Sequence, residues 1–219
     1  MKNFFLAAFV LFTTLSLAQY QNRDGNRIGI TAGVTQTSLL NSNFATKPAI
    51  GFNGGLSVRG NYYNNWSMIY GMQFFQNNVL IETISPTLQR KDAKLTLQGA
   101  QIRLLLSYNV VKNHVSFDFG PVLQINDKFK TADEDFNNTI VGASGLKAGQ
   151  LENVANVHGN FYVGISAGTR RVRAVINYQY GFTNVLNKLN SQEELVLLNN
   201  NNKFKGTLGT ISGQILFNL

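Results

Sequence analysis

From Thr207 to Leu219 the chain alternates with a period of two. Thr207, Gly209, Ile211, Gly213, Ile215, Phe217 and Leu219 fall on one side, with Thr210, Ser212, Gln214 and Asn218 among the residues between them. Successive side chains of a strand point to opposite faces, so this segment has one face for an apolar medium and one for polar company. It is the most regular amphipathic strand in the chain and also the last. In an open sheet it would be a bare edge, whereas a sheet that closes on itself needs a final strand to pair with its first.

The opening residues predict an export signal over residues 1–18. Lys2 supplies the positive start, Phe4 to Phe12 a short apolar run, and Ser16-Leu17-Ala18 a small-x-small cleavage site. The run is too short for a membrane-spanning helix. Residues 19–26 read as a polar periplasmic leader and residues 27–219 as one folded domain. There is no cysteine, which excludes disulfides and thiolate chemistry. Only 14% of residues are charged, against about 25% in ordinary soluble domains. The formal charge of +8 is scattered along the chain, which argues against nucleic acid as a partner. After residue 18 no apolar stretch reaches helix-spanning length, so a membrane location would have to be achieved with strands.

The alternation of the last segment recurs along the chain. Strands are expected over Arg27 to Leu39, Gly51 to Tyr62, Trp66 to Leu80, Leu95 to Val110, Val115 to Asn126, Val157 to Thr169 and Val172 to Phe182, before the eighth at the end. The third is the clearest, with Trp66, Met68, Tyr70, Met72 and Phe74 set against Ser67, Gly71 and Gln73. Leu105 interrupts the pattern of the fourth and would be an inward apolar residue. The connections alternate between long (residues 41–49, 81–94, 127–156 and 183–203) and short (around Asn64-Asn65, Lys112 to His114 and Arg170-Arg171).

Long, two-faced strands joined alternately by long and short connections predict an all-β fold, an eight-stranded antiparallel transmembrane β-barrel wound as an up-and-down meander. An even strand count leaves both ends on the periplasmic side. One face is consistently apolar and aromatic and the other is Gly, Ser, Asn, Gln and Arg. A soluble barrel would need the reverse, an apolar interior and a charged exterior, so lipid accounts for the exterior better than water does. A periplasmic soluble β-protein is the competing reading. Trp66, Tyr62, Tyr63, Tyr108 and Tyr178 suit the headgroup region as amphipathic aromatics.

Eight strands leave an interior just wide enough for side chains to fill. The proposed topology puts Arg59, Asp118 and Arg173 inside, toward the periplasmic end, with Arg103 nearer the middle. The expectation is a polar cluster in which pairing offsets the desolvation of Asp118. A catalytic centre is not expected: His114 and His158 fall at opposite ends, and a rim hydrolase built from His158, Ser144 and Asp127 or Asp133 has nothing to fix its geometry. Asp133-Glu134-Asp135 lacks the ligand spacing of a calcium loop and reads as a solvated acidic patch. No cofactor or metal ion is expected.

The segment LQGAQIRLLLSYNVVKNHVSFDFGPVLQI resembles the hallmark region of the small, porin-like outer-membrane β-barrel proteins of Bacteroidota, a group that includes a gliding-motility and type IX secretion accessory protein. In that group a strand of the form xxIPxLLxY is followed by a short turn, an extended strand and Gly-Pro or Gly-Gly. Residues Gln101 to Tyr108 and Gly120-Pro121 occupy those places, with Arg103 where many members have Pro, and Gly181-Phe182-Thr183-Asn184 resembles a Gly-Leu-Thr-Asn near the penultimate strand. The resemblance implies an outer-membrane barrel and carries no catalytic residues. The expected role is a non-enzymatic scaffold or accessory subunit of an envelope or secretion system. A narrow channel for ions or small solutes and a surface adhesin are the alternatives. The expected partners are outer-membrane lipid or lipopolysaccharide and another envelope protein, with residues 127–156 and 183–203 as external contact surfaces.

Overall fold

The computed structural model of the protein describes residues 26–219. The expected export signal and all but the last residue of the expected leader lie outside the described residues. The chain runs through β1 (Arg27–Asn41), β2 (Thr46–Tyr63), β3 (Trp66–Ile84), β4 (Arg90–Val111) and β5 (Val115–Asn126). Three short strands follow, β6 (Lys130–Thr131), β7 (Thr139–Ile140) and β8 (Ala143–Lys147), then β9 (Val157–Gly168), β10 (Val172–Gly181), a short helix α1 (Glu193–Leu198) and β11 (Gly206–Asn218). The eight long strands each pair antiparallel with their neighbours in sequence. The ring closes where β11 pairs with β1, from Gly29 opposite Asn218 to Asn41 opposite Gly206. The period-two segment at the end of the chain is therefore the closing strand.

The two faces separate as the alternation requires. On β11, Thr210, Ser212 and Gln214 are buried while Ile211, Ile215 and Phe217 are exposed. On β3, Trp66, Met68, Tyr70, Met72 and Phe74 face out, and Ser67, Ile69, Gln73 and Phe75 face in. The next outward residue, Gln76, donates nothing to the apolar wall and instead accepts from Gln98 Nε2 at 2.7 Å. Ten residue steps separate Trp66 from Gln76. At a strand rise of ~3.3 Å and a tilt of ~40° this spans about 25 Å, the height of an outer-membrane barrel's apolar band. Trp66 packs with Tyr108 and Phe119, at ring-centroid distances of 5.0 and 6.3 Å, as part of an aromatic cluster at the lower edge of that band.

The short connections match the sequence expectation for a physical reason. Asn64 and Asn113 adopt positive φ (50° and 65°), the left-handed conformation that Asn tolerates better than most residues. Gly120 also answers to a close approach: a β-carbon there would lie 2.3 Å from the Leu104 carbonyl oxygen. That contact, together with the missing N–H of Pro121, explains why Gly120-Pro121 lies where the β4–β5 ladder is interrupted, between the Arg103–Val122 and Leu106–Phe119 pairs.

Two connections expected to be long are short. The first shrinks to residues 42–45 because β2 begins at Thr46, and the second to residues 85–89 because β3 and β4 continue to Ile84 and from Arg90. Pro48 is accommodated where the β2–β3 register shifts between Pro48 and Phe52. The alternation fails to mark these extensions because they stand above the apolar band. One face, including Val79, Ile81, Ala93 and Leu95, is buried beneath the loops. The other carries charges paired through water-exposed contacts, such as Lys47 with Glu82 and Asp92, both at 3.0 Å.

Candidate functional site

Among the described residues the lumen holds the largest group of buried charges, and it is arranged in layers. In the layer nearest the short turns, Asp118 of β5 is 2% exposed. It accepts hydrogen bonds from the Ser107 hydroxyl on β4, which faces it in register, and from the Ser116 hydroxyl at 3.0 Å. Arg59 of β2 reaches across to Ser107 Oγ at 2.6 Å and places Nη2 3.5 Å from both Asp118 oxygens. Arg173 of β10 donates to the Ser166 hydroxyl at 2.9 Å, to the Ser166 carbonyl at 3.2 Å and to the Asn113 carbonyl in the turn at 3.1 Å. Ser116 and Ser166 share a hydrogen bond of 2.7 Å, which links the Asp118 and Arg173 groups.

Of the four residues predicted for the cluster, Arg59 and Asp118 meet directly, Arg173 joins them through Ser116 and Ser166, and Arg103 stands apart. The Arg103 guanidinium lies 5.6 Å from the centroid of the Tyr162 ring, a cation–π distance. Among the described residues its Nε meets no acceptor. Tyr162, Ile69, Leu105 and Val122 form a small apolar cluster at this level, so Leu105 is the inward apolar residue its break in the pattern predicts. Above it comes a layer of amides. Gln101 donates to Gln73 at 3.0 Å, and Gln73 donates to Thr31 at 2.6 Å and Gln214 at 3.0 Å. Ser107, Ser116, Ser166 and Tyr162 were legible as inward residues, but their partnership with the charges depends on register, which the sequence pattern leaves open.

The top of the lumen is sealed by a second core that the sequence reading does not anticipate. Strand residues Leu39, Phe75, Val79, Ile81, Leu95, Leu97 and Leu208 pack with Phe129, Leu146, Leu151 and Val154 from one long connection and Val185, Leu186, Leu189, Leu195 and Phe204 from the other. Asparagines tie this cap to the barrel. Asn184 accepts from the backbone N–H groups of Leu186 at 3.1 Å and Gly206 at 2.9 Å and donates to the Phe204 carbonyl at 2.9 Å. Asn190 brackets Phe204 from the other side, accepting at 2.7 Å and donating at 3.0 Å. The available signal was the apolar spacing of Val185, Leu186 and Leu189, unusual for a solvated loop.

Asp133 and Glu134 are exposed, as the solvated patch read from the sequence requires, but the third acid of the run is not. Asp135 is buried, lies 3.0 Å from Lys91 and accepts from Asn138 at 3.1 Å, while Glu134 shares the same lysine at 3.0 Å. Among the described residues no group of three or more His, Asp or Glu side chains is placed to hold a metal ion. His114 lies in the turn with its ring against the Lys112 carbonyl at 3.0 Å. His158 is not a surface residue but buried under the cap, 3.3 Å from the Thr183 hydroxyl. His158 pairs with Gln124 and the β5 end at Val115 adjoins His114, so the two rings are roughly 30 Å apart along the ladder at ~3.3 Å per residue.

An eight-stranded closed ring with an apolar band outside, an aromatic edge and a polar lumen is the architecture of an integral outer-membrane β-barrel. Residues 17–187 match the outer membrane protein beta-barrel domain family, and the chain belongs to that family. It is thus a protein of the cell outer membrane. No curated protein matches it in sequence. Among solved structures it is similar to Neisserial surface protein A, from Neisseria, at 14% identity over 88% of this chain and 98% of that one, with a TM-score of 0.46. It is also similar to Ail, the attachment invasion locus protein of Yersinia pestis, solved with the heparin analogue sucrose octasulfate, at 12% identity over 89% and 99% of the two chains, with a TM-score of 0.48.

Proposed function

We propose that this protein is a non-conducting, non-enzymatic scaffold that holds a folded cap at the outer surface for contact with another component of the envelope. The observation that carries this reading is the sealed lumen. Residues of both long connections and of the strand ends share one apolar core across the mouth, and layers of hydrogen-bonded amides and paired charges fill the space beneath. A route for solutes would have to break both.

Longer loops of outer-membrane barrels face outward, so the cap is the part available to a partner. Phe136, Leu197 and Leu88 are exposed there. The accessory role in an envelope or secretion system, including the type IX branch that the sequence resemblance brings in, is the finer form of this proposal. Lipid or lipopolysaccharide would cover the outward aromatic wall. The non-enzymatic reading is supported by the separation of the two histidines and by the engagement of Asp118 with Ser107, Ser116 and Arg59.

The test has two arms. The purified protein in a planar bilayer is expected to give no steady conductance, and stable open steps that depend on Arg59 or Arg103 would replace the scaffold by a channel. Exchange of residues 183–203 for a short turn is expected to remove envelope partners that copurify with the intact protein; an unchanged set of partners would refute the contact role.

A further inference from the structure

Four guanidinium groups, those of Arg27, Arg59, Arg103 and Arg173, face the lumen with a single carboxylate among the described residues, Arg27 standing opposite Arg59 in register and donating to Asn113 Oδ1 at 2.7 Å. Asp118 is already engaged, by two hydroxyl donors on Oδ1 and by Arg59. Arg173 rests on neutral acceptors, the Asn113 carbonyl and the Ser166 hydroxyl and carbonyl. Arg103 has a different situation. It is 4% exposed, its positive charge has an aromatic face on one side, and its Nε has no acceptor among the described residues. A buried cation is strongly disfavoured unless an opposite charge or a set of hydrogen-bond acceptors replaces its water.

Beside Arg103 lies a cavity of about 30 Å³, whose lining includes Arg59, Arg103, Asp118, Tyr162, Ser57 and Ser166. We propose that this cavity is a binding site for one monatomic monovalent anion, a halide, held chiefly by Arg103 with Arg59 on its far side. Charge selects the ligand, and the small volume, room for about two or three water-sized particles at the ~10–15 Å³ that each needs, favours a compact one. Arg59 and Arg103 against Asp118 leave the lining with a net positive charge, which repels a cation. Asp118 does not cancel the site, because its charge is turned toward Arg59 and the Ser107 and Ser116 hydroxyls. The Ser57 hydroxyl in the lining is a rotatable donor, suited to a spherical acceptor.

The site goes beyond the scaffold role, since a sealed barrel needs no ligand there, and it gives the unpaired Arg103 a counter-charge. The experiment uses the full barrel in detergent. Crystals grown or soaked in bromide are expected to show an anomalous peak beside Arg103, and density that scatters as water alone would overturn the proposal. In parallel, unfolding temperature is measured as chloride replaces gluconate at constant ionic strength. The wild type is expected to gain a few degrees with saturation, as linkage requires of a ligand bound only by the folded state, and Arg103→Met is expected to lose that dependence. A wild type indifferent to chloride, or an R103M variant that keeps the full response, would also overturn it. If R103M fails to fold, the bromide peak in the wild type decides.

Discussion

Gly71 and Arg103 face each other across the β3–β4 ladder, and the guanidinium occupies the space that a side chain on Gly71 would need. A β-carbon built on Gly71 would lie 3.3 Å from Arg103 Nε and 3.4 Å from Nη2. Glycine here makes room for a buried cation. Gly71→Ala is expected to cost about 1 kcal/mol through overpacking. In an Arg103→Ala background the same change should instead stabilise by a few tenths to ~1 kcal/mol, because the clash is gone and the unfolded chain loses freedom. A double-mutant cycle on thermal or urea unfolding in detergent checks this sign reversal.

Asp118 is the sole carboxylate among the four lumen guanidiniums of the described residues. Asp118→Ala removes the partner of Arg59 and the acceptor for the Ser107 and Ser116 hydroxyls, and should destabilise the barrel by about 3–5 kcal/mol, the range for breaking a buried ion pair from one side. Asp118→Asn keeps an acceptor oxygen for the hydroxyls and should cost less. Loss of the heat-modifiable gel shift at lower temperature, in the order Ala, Asn, wild type, is the measurement.

What was legible in the sequence, and what was not, follows from where lipid touches the chain. Between Trp66 and Phe74 the outward residues must be apolar while the inward ones, Ile69 apart, are polar or glycine, so period two shows and the strand can be read directly. Above Gln76 that rule ends. Val79, Ile81, Leu95 and Leu97 are buried by loops that the chain supplies from far away in sequence, and the alternation no longer says which residues are strand. The lumen charges could be assigned to the interior, since a charge on the lipid face is costly. Their pairing could not, because Arg59 reaches Asp118 only through the ring closure and stagger of β2 relative to β5, and Arg103 is held off by Tyr162 from β9. Asn184 and Asn190 look like ordinary loop asparagines until Phe204 is placed between them.

The cap should open without unfolding the barrel, because its core is largely separate from the lumen layers. Phe204 is fully buried in it. Phe204→Ala is expected to cost about 3–5 kcal/mol of local stability, enough to populate an open cap. Limited proteolysis should then cut within residues 183–203 while the resistant barrel fragment and its gel shift persist. Cleavage spreading at the same rate into β1 to β5 would show that cap and barrel are one cooperative unit.

The position of the membrane along β3 makes a prediction with a built-in control. Met72 is exposed on the apolar face in the upper half of the span between Trp66 and Gln76, and Gln76 is already polar and bonded to Gln98. Charge on the lipid face of a barrel costs ~2–4 kcal/mol at midplane and ~0–1 kcal/mol near the interface. Tyr70→Arg and Met72→Arg, each one residue from the centre of the Trp66–Gln76 span, should therefore each lower unfolding stability in lipid vesicles by about 2–4 kcal/mol and to a similar extent. Gln76→Arg should change it by less than about 1 kcal/mol. The inward neighbour Gln73 gives the contrast on the other face: Gln73→Leu removes the acceptor of Gln101 and the donor to Thr31 and Gln214, and its cost of about 1–3 kcal/mol arises from unpaired lumen amides and not from lipid. That cost should persist in detergent, where no bilayer thickness is imposed, whereas the depth dependence of the three arginines should flatten. Equal losses for Tyr70→Arg and Gln76→Arg in vesicles would mean that the apolar band lies elsewhere along β3.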